Sequence, residues 1–105
     1  MLRIYPVAIE MVRDVSAMCS AIAKHDADLA RQLRRSSMSV VLNIGEGSGS
    51  SAGTRRARYE SARGSARETL CGLEAAAAVG YMPGLSHAQR NRFDWILGVL
   101  HKVTH

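Results

Sequence analysis

The chain has 105 residues, of which 47% are hydrophobic and only 5% aromatic. This length is enough for one hydrophobic core, so we expect a single domain over residues 1–105, and the absence of β-branched runs predicts an all-α fold. The net charge of +5 favours acidic partners such as nucleic acid, and no apolar run is long enough to predict a membrane span.

The first predicted helix covers residues 6–24. Pro6 is suited to the first turn of a helix, where its missing N–H group would have no partner. Apolar residues then recur at helical spacing along one side. Glu10 and Asp14 interrupt the apolar stretch, so the segment is read as an amphipathic helix and not as a signal peptide.

The second predicted helix covers residues 27–46, with Asp26 as its N-cap. Nearly all of its circumference is apolar or small, except for one narrow polar strip. That strip consists of Gln32, Arg35, Ser39, Asn43 and Glu46. We therefore expect neighbouring helices to enclose this helix and to supply partners for the strip. The Gly/Ser-rich residues 47–53 are interpreted as a flexible connection, because the strand and lysine of a phosphate-binding loop are missing.

The third predicted helix covers residues 54–79 and has three distinct faces. Tyr59 and Leu73 belong to an apolar stripe, and a second face carries arginines that Glu60 could partly neutralise. The third face contains Gly64 and Gly72. A glycine inside a helix costs about 1 kcal/mol relative to alanine. We therefore expect another backbone to approach closely at both glycines.

The polar side chains of the second and third helices predict a semi-buried seam between them. Its residues are Gln32, Arg35, Ser39, Asn43, Glu46, Ser65 and Glu68. In an antiparallel hairpin that turns near residue 50, Ser39 would lie opposite Ser61. We expect Arg35 and Glu68 to form the ion pair of the seam, with hydrogen bonds completing it. The alternative is that both side chains are simply solvated.

The fourth predicted helix covers residues 87–103. Gly80 is placed to end the third helix, and Ser86 with Gln89 forms a capping box. Outward apolar side chains on the second and fourth helices predict association between copies of the chain. These candidate interface residues are Met38, Leu42, Trp95 and Val99. The alternative is that Trp95 lies flat on its own bundle.

Three segments resemble a known family. They are residues 32–47 (QLRRSSMSVVLNIGEG), 62–68 (ARGSARE) and 80–82 (GYM). They resemble the 23S ribosomal RNA intervening-sequence proteins, and the matched positions of the first segment are Arg35, Ser39, Asn43, Glu46 and Gly47. The sequence departs from the family pattern at Gly45, where alanine is usual, and in its long Gly/Ser connection.

The resemblance implies an antiparallel up-down-up-down four-helix bundle that assembles into a homo-oligomeric ring, with five subunits. It also implies a relationship to the accessory proteins of diversity-generating retroelements, which bind a reverse transcriptase and RNA. We therefore expect the chain to have copies of itself as partners, together with RNA or a reverse transcriptase.

Positive charge is concentrated between residues 31 and 67, where eight arginines accompany only two acidic residues. The candidate nucleic-acid-binding residues are Arg34, Arg55, Arg56, Arg58, Arg63 and Arg67. Arginines attract phosphate groups, and because no free aromatic side chain is interleaved with them, binding would tolerate many sequences. The alternative is a solvated and partly self-paired basic face.

Catalytic motifs are not evident in the sequence. His101 and His105 have the spacing of a helical metal pair, but no carboxylate is near them in sequence, so we expect no metal site. Cys19 and Cys71 fit reduced thiols of a cytoplasmic protein. We therefore expect a non-enzymatic oligomeric bundle without cofactor or small-molecule substrate, which acts as a nucleic-acid-binding accessory or scaffold. The alternative is a structural protein–protein interaction module with no nucleic-acid role.

Overall fold

The computed structural model describes residues 2–105, which form four α-helices and no β-strand. The helices are α1 (Tyr5–Ile22), α2 (Ala27–Ser48), α3 (Ala52–Ala78) and α4 (His87–Thr104). The all-α prediction is confirmed, and each predicted boundary lies within two residues of the observed one. Within residues 2–105, none of the helices combines the length and the hydropathy that a membrane crossing requires.

Local capping signals determine where α2 and α4 begin. The Asp26 side chain accepts a hydrogen bond from the backbone N–H of Leu29 at 2.9 Å. The predicted capping box is confirmed, because the Ser86 hydroxyl accepts from the Gln89 N–H at 3.1 Å and Gln89 Oε1 accepts from the Ser86 N–H at 2.8 Å. Gly80, just after α3, has φ of 83°, which glycine adopts without steric cost.

The hydrophobic core lies between all four helices. In the main packing contacts, α2 packs against α1 and α3, and α4 packs against the same two helices. Large side chains that are almost completely buried fill the centre: Met11, Ile22, Leu33, Ile44, Leu73, Phe93, Ile96 and Leu100. Burying each of them contributes about 1.5–3 kcal/mol, so core packing is the main term that holds the helices together. Buried alanines on α1, α2 and α3 allow these helices to pack closely.

The connection between α2 and α3 is shorter than the sequence predicts. Only residues 49–51 lie outside the two helices, whereas a flexible segment over residues 47–53 was expected. Gly47 is a buried helical residue, and α2 continues to Ser48. The prediction of a long flexible connection is therefore wrong, because tertiary packing outweighs the low helix propensity of glycine here.

Candidate nucleic-acid interface and polar seam

Polar side chains of α2 and α3 meet along the surface between these helices, as the sequence predicts. The Ser65 hydroxyl donates a hydrogen bond to the Ser39 hydroxyl at 2.9 Å. The Gln32 amide donates to a Glu68 carboxylate oxygen at 3.5 Å, and the Asn43 amide donates to the Ser39 carbonyl at 2.9 Å. Residue numbers rise in α2 as those of their partners fall in α3, so these two helices run in opposite directions.

The axial register of this pair differs from the predicted one. Ser39 bonds to Ser65 and not to Ser61, which shifts α3 by about one helical turn relative to α2. The connection, residues 49–51, is still centred on residue 50, so its position does not explain the shift. Gly47 against Tyr59 and Leu33 against Gly72 pair at nearly the same offset as Ser39 and Ser65, so packing between the helices determines this register. Both serines lie on the same side of α3, and therefore the helical period alone could not distinguish them.

The predicted ion pair between Arg35 and Glu68 is wrong. Within residues 2–105, Arg35 forms no ion pair, and both side chains are exposed. Glu68 instead accepts the hydrogen bond from Gln32. The ion pair between the two helices is formed by Glu46 and Arg58, whose side chains approach to 2.9 Å. Both of these side chains are about half exposed, so the pair contributes about 1 kcal/mol or less.

A buried hydrogen bond between α2 and α3 was missed by the sequence analysis. The hydroxyl groups of Ser36 and Thr69 lie 2.7 Å apart, and Thr69 is completely buried. Thr69 donates to the Ser65 carbonyl, also at 2.7 Å, which leaves it free to accept from Ser36. The available signal was a threonine next to Leu70 on the apolar side of α3, where a polar residue needs a partner.

Glycines allow close contact between α2 and α3 at two positions. A Cβ atom added to Gly47 would lie 2.6 Å and 2.9 Å from ring carbons of Tyr59. A Cβ atom added to the helical Gly72 would overlap a terminal methyl group of Leu33, so the Leu33 side chain would have to shift. Gly64 is exposed and has no neighbour within 4 Å of a Cβ position, so the prediction of a close approach at Gly64 is wrong. The close contacts involve side chains and not the backbone.

Most of the arginines between residues 31 and 67 have no acidic partner. Of the arginines in this region, only Arg31 and Arg58 form ion pairs with any of residues 2–105, Arg31 with Asp28 and Arg58 with Glu46. The other arginines of this region form no ion pair: Arg34, Arg35, Arg55, Arg56, Arg63 and Arg67. Glu60 does not neutralise its neighbours on α3, although its spacing would permit it.

The candidate binding arginines do not all lie on one surface. Helical spacing puts Arg56, Arg63 and Arg67 on one side of α3. That side borders α4, because Glu74, which has the same helical phase as Arg56, forms an ion pair at 2.9 Å with Arg90 of α4. Arg34 instead lies near α1, where its charge opposes the effect of burial on the Cys19 thiol. The structure therefore separates Arg34 from the basic strip formed by Arg56, Arg63 and Arg67.

Exposed apolar side chains form two separate surfaces. Met38 is 47% and Leu42 55% exposed, and both line a shallow groove between α2 and α3 that also contains Arg35 and Glu46. Trp95 is 55% exposed and lines a second, mostly apolar groove between α1 and α4. Val99 is half-buried and packs against the core, so the prediction that it points outward is wrong.

Burial shifts the pKa values of two groups on α1, Asp14 and Cys19. Burial raises the pKa of the Asp14 carboxyl, and Arg92, whose Nε lies 3.4 Å from it, opposes that effect. Burial also raises the pKa of the Cys19 thiol, whereas Cys71 is exposed; both are free thiols. In the part of the chain that the structure describes, no three His, Cys, Asp or Glu side chains are grouped closely enough to hold a metal ion.

Both the sequence and the fold of the chain are similar to those of known proteins. The family model for "23S rRNA-intervening sequence protein" matches residues 1–93. The fold is similar to a crystal structure of a protein of unknown function from the S23 ribosomal protein family of Bacteroides thetaiotaomicron, with a TM-score of 0.81 and 18% identity. That similarity covers 96% of this chain and 97% of the other. No curated protein sequence matches the chain.

Proposed function

The chain belongs to the 23S rRNA-intervening sequence protein family, and from that premise we propose that it is a non-enzymatic, oligomeric bundle whose basic strip binds RNA. The observation that carries this proposal is the unneutralised strip of Arg56, Arg63 and Arg67 along α3. Three arginines without ion-pair partners on one side of a helix form a local concentration of positive charge, and the phosphate backbone of a nucleic acid is a polyanion that complements it. The name of the family is consistent with an RNA partner.

The architecture that we infer is an antiparallel up-down-up-down bundle. Consecutive helices pack against each other, and the connections 23–26, 49–51 and 79–86 are short. Short connections favour antiparallel neighbours. This arrangement leaves the α2/α3 groove, with Met38 and Leu42, on a different side of the bundle from the α1/α4 groove with Trp95.

Two different apolar surfaces favour a ring over a two-fold dimer. If the α2/α3 groove of one copy contacts the α1/α4 groove of the next, the interface is heterologous, and such interfaces close into rings when the rotation permits. We propose a ring of five in the cytoplasm, as the family resemblance implies. Analytical ultracentrifugation should then give about five times the chain mass of 11.4 kDa. A monomeric protein at micromolar concentration would refute the ring.

RNA binding is tested by titrating a single-stranded RNA at several salt concentrations. Arg63→Gln combined with Arg67→Gln should weaken binding and reduce the slope of log affinity against log salt by about 1.4, because each lost phosphate contact removes about 0.7. Arg13→Gln combined with Lys24→Gln removes the same charge from exposed positions outside the strip and should leave the slope unchanged. Equal slopes for the two double variants would contradict the proposal.

A structural protein–protein interaction module is the second candidate function. It is favoured by the exposure of Met38, Leu42 and Trp95, because large apolar side chains at the surface of a small protein mark contact sites. In this alternative the arginines are solvated by water and only keep the bundle soluble. The absence of any salt-dependent RNA binding by the unmodified protein, together with a stable oligomer, would favour this second function.

A further inference from the structure

An open pocket of ≈ 640 Å³ lies at the end of the bundle where α3 begins. The residues that matter for its chemistry are Leu2, Ser48, Arg55, Arg56, Tyr59 and Val103. Two arginines and a tyrosine supply hydrogen-bond donors, and Leu2 with Val103 supplies an apolar wall. Its size is in the range of pockets that hold small ligands.

Tyr59 brings a polar group into this pocket without a partner for it. The residue is only 4% exposed, yet its hydroxyl forms no hydrogen bond with any of residues 2–105 and is not sealed from solvent. Its ring packs directly against Gly47, where a Cβ atom could not be accommodated. Because packing fixes the ring and the hydroxyl still reaches solvent, this phenol can donate a hydrogen bond to a ligand at the pocket surface.

The first turn of α3 carries a positive charge, which is unfavourable at the positive end of a helix dipole. It contains Arg55 and no acidic residue, although the N-terminus of a helix is stabilised by negative charge. The N-cap residue Ser51 does not cap the first turn; its hydroxyl donates to the Thr54 hydroxyl at 3.3 Å. Arg55 is held in place by a hydrogen bond to the Ser50 carbonyl at 3.0 Å. A bound anion would accept hydrogen bonds from the uncapped N–H groups. It would also offset the repulsion between Arg55 and the positive end of the helix dipole.

We propose that this pocket binds the terminal phosphate monoester of a nucleic-acid strand. A phosphate monoester has three terminal oxygens and nearly two negative charges, whereas an internal phosphodiester has two oxygens and one charge. The monoester therefore needs more hydrogen-bond donors and more positive charge than the diester. The pocket can supply them from two guanidinium groups, the Tyr59 hydroxyl and the N–H groups of α3. The sugar and base of the end nucleotide would pack against Leu2 and Val103. This inference rests on the proposed function and names the nucleic-acid group that one site recognises.

The experiment compares single-stranded RNAs of one sequence with a 5′-phosphate, with a 3′-phosphate or with neither, each labelled at the end not under test. Their affinities for the full chain are measured by fluorescence anisotropy, and inorganic phosphate is added as a competitor. The unmodified protein should prefer one phosphorylated end by at least about tenfold, since hydrogen bonds between charged partners have this magnitude. Inorganic phosphate should reduce the preference.

Tyr59→Phe removes only the hydroxyl and retains the ring against Gly47, so the fold is preserved. It should reduce the preference for the phosphorylated end by about tenfold. Arg56→Gln, at an exposed position, should have a similar effect and is a second variant whose folding is not in question. Arg13→Gln removes an equal charge on α1, outside the pocket, and should leave the preference unchanged.

The outcomes separate this inference from the proposed function. If all three RNAs bind equally and Tyr59→Phe has no effect, the pocket assignment is overturned and RNA binding by the basic strip remains. If RNA does not bind but Tyr59 and Arg56 are needed to bind inorganic phosphate, the pocket is a phosphate site, and both the proposed function and the assignment of a nucleic-acid end to this pocket are overturned. If neither RNA nor inorganic phosphate binds, both proposals are overturned.

Discussion

Two glycines near the end of α2 have different surroundings, and the difference gives a stability prediction. A Cβ atom at Gly45 would lie 3.7 Å from a ring carbon of Tyr5, which is an ordinary van der Waals contact. At Gly47 the Cβ atom would lie 2.6 Å from a ring carbon of Tyr59 and 3.3 Å from Cβ of Arg58. Tyr59 is buried, so its ring has little room to move away.

The expected magnitudes follow from two opposing terms. Replacing a helical glycine by alanine stabilises a helix by up to about 1 kcal/mol, and Gly45→Ala should retain that gain. Gly47→Ala has the same gain but overfills the contact with Tyr59, which costs about 1–3 kcal/mol. The free energies of unfolding of the two variants should therefore differ by about 1–3 kcal/mol. In Tm this corresponds to about 4–8 °C for each kcal/mol in a domain of this size.

Urea unfolding followed by far-UV circular dichroism measures this difference. All variants are compared at one protein concentration, because an oligomer is stabilised by mass action. Gly45→Ala is the matched control in the same helix. If Gly47→Ala is as stable as Gly45→Ala, the steric reasoning is refuted. A double-mutant cycle identifies the cause, since Gly47→Ala should cease to destabilise once Tyr59→Ala has removed the ring.

Three further predictions follow from the polar contacts. Arg35→Met and Glu68→Leu should change the free energy of unfolding additively within about 0.5 kcal/mol, and a coupling above about 1 kcal/mol in the cycle would restore the ion pair. Thr69→Val removes a buried acceptor and should cost about 1 kcal/mol in urea unfolding; a neutral result would contradict the hydrogen bond at 2.7 Å. Arg92→Met removes the charge that opposes desolvation, so the pKa of Asp14 should rise further in a ¹³C NMR titration, and a fall would contradict the assignment. Because its pKa is raised in the folded state, Asp14 binds a proton more tightly in the native than in the unfolded protein. The ionised Asp14 therefore destabilises the fold, and this destabilisation is relieved as pH falls through the folded pKa. In the variant, the relief should occur at higher pH.

The helices could be predicted from the sequence because their signals are local. Asp26 and Ser86 carry capping side chains, Gly80 ends α3, and the apolar residues recur at the helical period. Each of these signals acts over a few residues and needs no knowledge of the rest of the chain. The same signals also identified the polar strip of α2, which indeed faces α3.

The contacts between helices could be predicted only in part. Periodicity identifies the side of α3 that faces α2, but Ser61 and Ser65 share that side, and the choice between them depends on how the side chains of the two helices pack. That packing could not be read from the sequence of either helix alone. Gly47 is helical and lies against the ring of Tyr59, and this contact joins residues that the local signals treat separately.

Side-chain exposure needed the packed structure as well. Val99 lies on a helix whose neighbours were unknown, and it turns out to border the core. Gly64 has the same helix propensity as Gly72, yet only Gly72 has a neighbour in the space that a Cβ atom would occupy. Whether a mid-helix glycine has a packing role therefore depends on the neighbouring helix and not on its own sequence context.

The neighbouring residues Glu46 and Gly47 connect the register of the bundle with its candidate binding residues. Glu46 pairs with Arg58 and removes one cation from the basic set, while Gly47 accepts the ring of Tyr59. Both contacts hold the first turns of α3, and those turns carry Arg55 and its neighbours. A slip of one turn would break both contacts and move the tyrosine hydroxyl away from the end of the bundle. Residues 46 and 47 therefore fix the position of the first turns of α3, so Gly47→Ala should disturb the α2/α3 packing that orients these candidate residues.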